Sequence, residues 1–140
     1  MPVVTSLNLA GQTEAALRHY EDAIGAETLF LMRFRDAPDQ SFTRPGGEDL
    51  IFHATFRIFG TVITASDVGF EASDSRPTFA GFSLALQTEE VDLADRAFAA
   101  LANQGKVVVP FAKSKFTSWY GIVIDRFGVS WKINVSTDGS

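Results

Sequence analysis

The chain has 140 residues, no cysteine, a net charge of −5 and 46% hydrophobic residues. That length suits one ordinary domain with a real core, while the absence of cysteine excludes disulfides, thiolate catalysis and Cys-ligated zinc. No Lys/Arg cluster occurs beyond Lys113 and Lys115, which argues against nucleic acid and anionic membrane surfaces as partners.

No apolar run approaches the length of a transmembrane helix. Met1-Pro2-Val3-Val4 enters an apolar stretch without a signal-peptide pattern, so a cytoplasmic location is expected. Thirteen Phe are many for this length. Most should be core, although Phe also lines cavities for apolar ligands.

Val3 to Leu9 is short and β-rich. Ala16, Leu17, Tyr20, Ala23 and Ile24 then follow helix spacing, with Thr13 as the expected N-cap and Gly25 just past the end. Thr28 to Arg35 reads as a strand and Asp36 to Glu48, with Pro38, Pro45, Gly46 and Gly47, as a loop. Leu50 to Phe59 and Val62 to Asp67 form two strands joined by a hairpin at Gly60-Thr61. A polar linker, Glu71 to Thr78, follows.

The pattern then restarts. Phe79 to Gln87 is an expected strand. Ala94, Ala97, Phe98 and Leu101 mark a helix face, with Gly105 expected to end that helix as Gly25 ends the first. Val107 to Phe111 is a strand, Lys113 to Ser118 a loop, and Trp119 to Arg126 with Val129 to Val135 a last hairpin turned at Phe127-Gly128. The order is β-α-β-β-β, repeated, which predicts an α+β fold of two modules, about 1–68 and about 79–136. Arg57-Ile58-Phe59-Gly60 and Asp125-Arg126-Phe127-Gly128 are a shared local signature.

Strand alternation sorts the faces. Phe52, Ala54, Phe56 and Ile58 oppose His53, Thr55 and Arg57. Thr61, Ile63 and Ala65 oppose Val62, Thr64 and Ser66. Val129, Trp131, Ile133 and Val135 oppose Ser130, Lys132 and Asn134. The apolar sets should pack under the helices, and the others meet water or line a cavity.

Several of these runs carry a family resemblance. They are Ala15-Ala16-Leu17-Arg18-His19-Tyr20 with Ile24-Gly25-Ala26-Glu27, His53-Ala54-Thr55-Phe56-Arg57-Ile58 with Ala65-Ser66-Asp67, Gly81-Phe82-Ser83-Leu84, and Asp125 to Asn134. The chain resembles the vicinal oxygen chelate superfamily of glyoxalase I, bleomycin-resistance proteins and extradiol dioxygenases, in its PhnB-like branch. The resemblance implies a glyoxalase-like partial barrel around a cavity, and a homodimer. In metal-dependent relatives two side chains per module hold a metal. The matching positions here are Thr5, Thr64, Phe82 and Lys132, none of them His, Asp or Glu. A Phe offers no ligand atom and a Lys ammonium repels a cation, so no metal and no cofactor are expected. Proteins of this branch are sometimes labelled as a 3-demethylubiquinone methyltransferase domain. No Gly-rich strand-to-helix turn supports that activity.

The candidate ligand contacts are His53, Thr64, Lys132, Trp119, Phe82 and Thr5. His53 is either a general base facing a cavity or a hydrogen-bonded structural histidine. Lys132 is either an anchor for an anionic or carbonyl-bearing ligand or half of an ion pair. Arg57 and Lys132 together predict a positive cavity face, and hence a ligand with a carboxylate, phosphate or polarised carbonyl beside an apolar body. The alternatives are a sequestering protein of the bleomycin-resistance type and a structural dimer with no ligand.

Overall fold

The computed structural model describes residues 1–68, 79–115 and 117–136; the linker expected at 71–78, and Phe116, lie outside them. The elements run β1 (Ser6–Asn8), α1 (Thr13–Ile24), β2 (Glu27–Arg33), β3 (Ile51–Ile58), β4 (Thr61–Ser66), β5 (Leu84–Thr88), α2 (Val91–Ala102), β6 (Lys106–Lys113), β7 (Trp119–Ile124) and β8 (Ser130–Val135). The chain divides into two compact units, Met1–Pro77 and Thr78–Ser140, and the α+β order β-α-β-β-β occurs in each. No helix among the described residues is long and apolar enough to cross a membrane.

In unit one the sheet order is β1-β4-β3-β2, with β1 parallel to β4 and the remaining pairs antiparallel. Helix α1 covers one face. Ala16, Leu17 and Tyr20 are its buried side chains, and Tyr20 stacks on Phe56 of β3 with ring centroids 6.2 Å apart. Gly25 takes the left-handed conformation that ends the helix, φ 72°. Its start differs from expectation: Gln12 occupies the cap position without a side-chain cap, and Thr13 is the first helical residue. The cap comes from afar. Asp67, just past β4, accepts from Gly11 N at 2.7 Å, Thr13 N at 3.3 Å and Thr13 Oγ1 at 2.7 Å, and its other oxygen accepts from Ile51 N at 2.9 Å. One buried carboxylate thereby ties the helix start to two strand ends.

Outside the core, Arg33 grips Glu14 through both oxygens, at 2.5 and 3.2 Å. Hydrogen bonding to Arg33 holds the Glu14 carboxyl below its usual range. The β3–β4 hairpin turns at Phe59-Gly60, one residue earlier than expected. Both residues have positive φ, 48° and 84°, which is the twist a two-residue hairpin loop needs.

Unit two repeats the plan with order β5-β8-β7-β6, β5 running parallel to β8. The buried side chains of α2 are Ala94, Ala97, Phe98 and Leu101, as the spacing predicts. Opposite them lie Trp131, Ile133 and Val135, all buried. Gly105 does not end this helix as Gly25 ends α1. Gln104 takes the positive φ, 61°, while Gly105 sits where an added Cβ would lie 2.3 Å from Ile124 O. Its role is close approach of backbone to backbone. Strand β5 starts at Leu84, several residues later than expected, and leaves Phe79 and Phe82 outside it in an edge-on contact.

Asp125 organises the last hairpin. One of its oxygens accepts from Phe127 N at 2.9 Å and Val129 N at 3.1 Å, and the other from the Trp131 indole at 3.0 Å. This accounts for the Asp-Arg-Phe-Gly-Val-x-Trp run as a self-contained turn: the acid fixes the loop backbone and holds the buried Trp131 indole. The signature shared by the two halves therefore conceals different turns. Phe59 is exposed at the tip of its hairpin whereas Phe127 is buried.

Candidate functional site

Each sheet has one face under its helix and one open face. Residues paired across strands share a face, so the registers give equivalent rows on the two open faces. In unit one the row is Ser6, Thr64, Thr55 and Phe30, across β1, β4, β3 and β2. In unit two it is Ala85, Lys132, Ile122 and Val109, across β5, β8, β7 and β6. Thr64 and Lys132 occupy the same place in the repeat.

Around Thr64 the unit-one face is mixed. Met32 pairs with His53, and Phe30 tilts toward the His53 ring at a centroid distance of 6.1 Å. His53 is exposed. Thr64 Oγ1 reaches Thr5 O at 3.5 Å, and Thr64 N donates to the same carbonyl at 3.0 Å. Thr5 thus contributes backbone to this face, while its row partner is Ser6. Arg57 does not supply free positive charge. Its cross-strand neighbour Glu27 binds it at 2.8 Å, so the expected cationic contribution from Arg57 is cancelled.

The unit-two face is largely apolar around one cation. Lys132 is exposed, forms no ion pair or hydrogen bond among the described residues, and stands between Ala85 and Ile122 with Val109 beyond. Ser130 and Asn134 flank it along β8. Ser130 shares a hydroxyl contact of 2.8 Å with Ser83. The buried Oδ1 of Asn134 has no hydrogen-bond partner among the described residues, which is uncommon for a buried acceptor.

Two candidate contacts lie elsewhere. Trp119 pairs with Val135, placing it on the helix-covered side, and it stacks on Phe111 at 5.4 Å; Phe111 in turn stacks on Phe98 of α2 at 5.6 Å. The three rings form a stacked row running from buried Phe98 to half-buried Phe111 and Trp119, with Lys113 Nζ 6.0 Å from the indole centroid. Phe82 precedes β5, and the register sets Ala85 opposite Lys132 in its place. Phe is also less buried than expected: Phe34, Phe56, Phe98 and Phe127 are buried, whereas Phe30, Phe42, Phe59 and Phe82 are exposed.

No group of three or more His, Cys, Asp or Glu among the described residues is placed to hold a metal ion. Asp67 and Asp125, the buried acids, accept hydrogen bonds through both oxygens within the fold. Residue spacing could have flagged Asp125, which binds the backbone two and four residues on. Nothing in the sequence links Asp67 to Thr13.

This repeated module, with a helix on one face of each mixed sheet, defines a glyoxalase-like protein. The chain belongs to the family described as 3-demethylubiquinone-9 3-methyltransferase, whose model matches residues 2–134, the PhnB-like branch of the vicinal oxygen chelate superfamily. It is 32% identical to Protein YjdN of Escherichia coli strain K12 over 143 residues, covering 96% of this chain and 95% of that protein. A structure from Bacillus cereus, described as a putative 3-demethylubiquinone-9 3-methyltransferase and PhnB protein, matches with TM-score 0.79 and 25% identity, over 97% of this chain and 100% of the other. Protein PA1353 of Pseudomonas aeruginosa matches with TM-score 0.83 and 26% identity, over 97% and 98%. A glyoxalase/bleomycin resistance protein/dioxygenase superfamily member from Sphaerobacter thermophilus shares the fold, with TM-score 0.58, 15% identity and coverage of 97% and 98%.

Proposed function

We propose that the chain is a metal-independent, PhnB-like small-molecule-binding protein whose ligand carries a carboxylate, phosphate or polarised carbonyl beside an apolar body. The observation that supports this reading is Lys132: a cation with no ion pair among the described residues, in an apolar row of Ala85, Ile122 and Val109. An exposed ammonium on an otherwise apolar row is accessible to an anion or carbonyl oxygen. The Ser130 hydroxyl adds hydrogen-bonding capacity along the same strand. In unit one, His53 beside Phe30, with Thr64 and Thr55, is the second proposed contact patch. Trp119 acts indirectly, by holding β7 against α2.

A lysine at the place of a former ligand disfavours divalent metal chemistry there. The family description names a methyltransferase, but the chain's features support binding of a small molecule and specify no methyl transfer. We further propose a homodimer, supported by the exposed apolar residues of edge strands β2 and β6, Leu29 to Leu31 and Val107 to Val109. Light scattering at micromolar concentration should give twice the chain mass, and a monomer would contradict the dimer. The ligand reading is tested by screening carboxylates, phosphates and ketones against wild type, Lys132→Ala and His53→Ala. Hits should weaken about tenfold in Lys132→Ala. Hits that bind all three proteins equally would reject the anchor role.

A further inference from the structure

Strand β2 is an edge of the unit-one sheet, and β6 takes the same place in unit two. Both carry exposed apolar side chains, Leu29, Phe30 and Leu31 in β2 and Val107, Val108 and Val109 in β6. Both shift register against their inner neighbours, so irregularity does not tell them apart. Their charges do. Strand β6 opens on Lys106, closes on Lys113 and holds Pro110 between them. Edge lysines oppose pairing with another strand, and a proline removes one of the donors that such pairing needs. Strand β2 has neither lysine nor proline; it opens on Glu27 and closes on Arg33. Laid antiparallel to itself about Phe30, it sets Glu27 opposite Arg33 at both ends, Thr28 opposite Met32, and Leu29 opposite Leu31. The same operation on β6 sets Lys106 against Lys113 twice.

We propose that β2 pairs antiparallel with β2 of a second copy of this chain, about a two-fold axis at Phe30. The inference rests on the homodimer reading above and names the surface that forms the dimer. A two-fold interface is complementary to itself, and β2 meets that condition in charge and in apolar content while β6 fails it in charge. The end charges of β2 keep capacity for a second partner. Among the described residues, Arg57 engages only Oε1 of Glu27. Arg33 donates twice to Glu14 and once to Asp49 O, and a guanidinium has about five N–H donors. Residues directly opposite each other on paired strands share a face. The two Phe30 rings therefore stand side by side, and the unit-one open faces that carry Thr55 and His53 join into one.

A chain without cysteine allows a direct test by cross-linking. Residues facing each other across antiparallel strands have Cα atoms about 4.5–5.5 Å apart, within the span that a disulfide bridges. With oxidised glutathione, Phe30→Cys should form a covalent dimer at least about tenfold faster than Val108→Cys on β6, because a held pair meets at an effective concentration on the order of millimolar. A strand pair of seven residues is a small interface, so one buried charge should undo it. In light scattering at micromolar concentration, wild type and Val108→Lys should be dimers and Leu29→Lys a monomer. Leu29 and Val108 both lie at register shifts and are 43% and 48% exposed, which makes them matched positions. Equal cross-linking at the two positions, or a Leu29→Lys protein that stays dimeric, would overturn the β2 pairing and leave the homodimer reading standing. A monomeric wild type would overturn both. Cross-linking decides the matter even if Leu29→Lys does not fold.

Discussion

Replacing Asp67 with alanine should cost more stability than any single core truncation of one methylene. The side chain is 3% exposed and accepts from four donors. Gly11 N is partly buried and can find water. Thr13 N, at 3.3 Å, is a weak partner. The remaining two bonds, from Thr13 Oγ1 at 2.7 Å and Ile51 N at 2.9 Å, are short and come from buried groups. Orphaning each buried donor costs about 1–3 kcal/mol, and losing the helix cap adds about 1 kcal/mol. The expected loss is about 4 kcal/mol, a large share of a typical domain's stability of about 5–15 kcal/mol. Asp67→Asn keeps one acceptor oxygen but turns an amide toward Ile51 N–H, and should lose about half as much. Urea unfolding followed by circular dichroism measures both, with the midpoint shifting at constant slope. A loss below about 1 kcal/mol for Asp67→Ala would refute the view that this acid is a structural tie and would reopen a functional role for it.

Asp125→Ala should destabilise by about 3 kcal/mol, since it strands the Trp131 indole and two turn amides; thermal unfolding checks this. Gly105→Ala should cost about 2–3 kcal/mol, because its Cβ meets the Ile124 carbonyl at 2.3 Å. Gly25→Ala, with open space around it but φ 72°, should cost only about 1–2 kcal/mol, so denaturation midpoints should rank the two glycines in that order. Glu14 has a folded-state pKa below its ordinary 4.5, so its contribution is present above that pH and is lost as pH falls through the lowered value. Glu14→Gln should therefore be slightly less stable than wild type at pH 7, by under about 1 kcal/mol at this half-exposed pair, and the gap should close toward pH 3 in an acid titration of stability.

Local periodicity made much of the fold legible. The α2 face of Ala94, Ala97, Phe98 and Leu101 emerged whole, because a helix repeats its contacts every three or four residues. The alternation in β3 and β8 placed His53 and Lys132 on faces away from the helices, since side chains in a strand point alternately to either side. Interactions far apart in sequence were not legible. Asp67 caps a helix more than fifty residues earlier, and no local pattern announces that. Gly105 read as a helix terminator because turn glycines and close-approach glycines look alike in sequence. Trp119 read as a candidate ligand contact, and its pairing with Val135 sets it on the α2 side of the sheet. Arg57 read as an available cation until β2 brought Glu27 beside it.

The claim at the centre of this account is metal-independent binding of an anionic or carbonyl-bearing small molecule at Lys132. Native mass spectrometry of freshly purified wild type and Lys132→Ala tests it most directly. Wild type should retain an organic molecule that is released or greatly reduced in Lys132→Ala, with no stoichiometric divalent metal in either. A zinc, nickel or iron ion bound one per chain, or an organic ligand retained equally by both proteins, would contradict it.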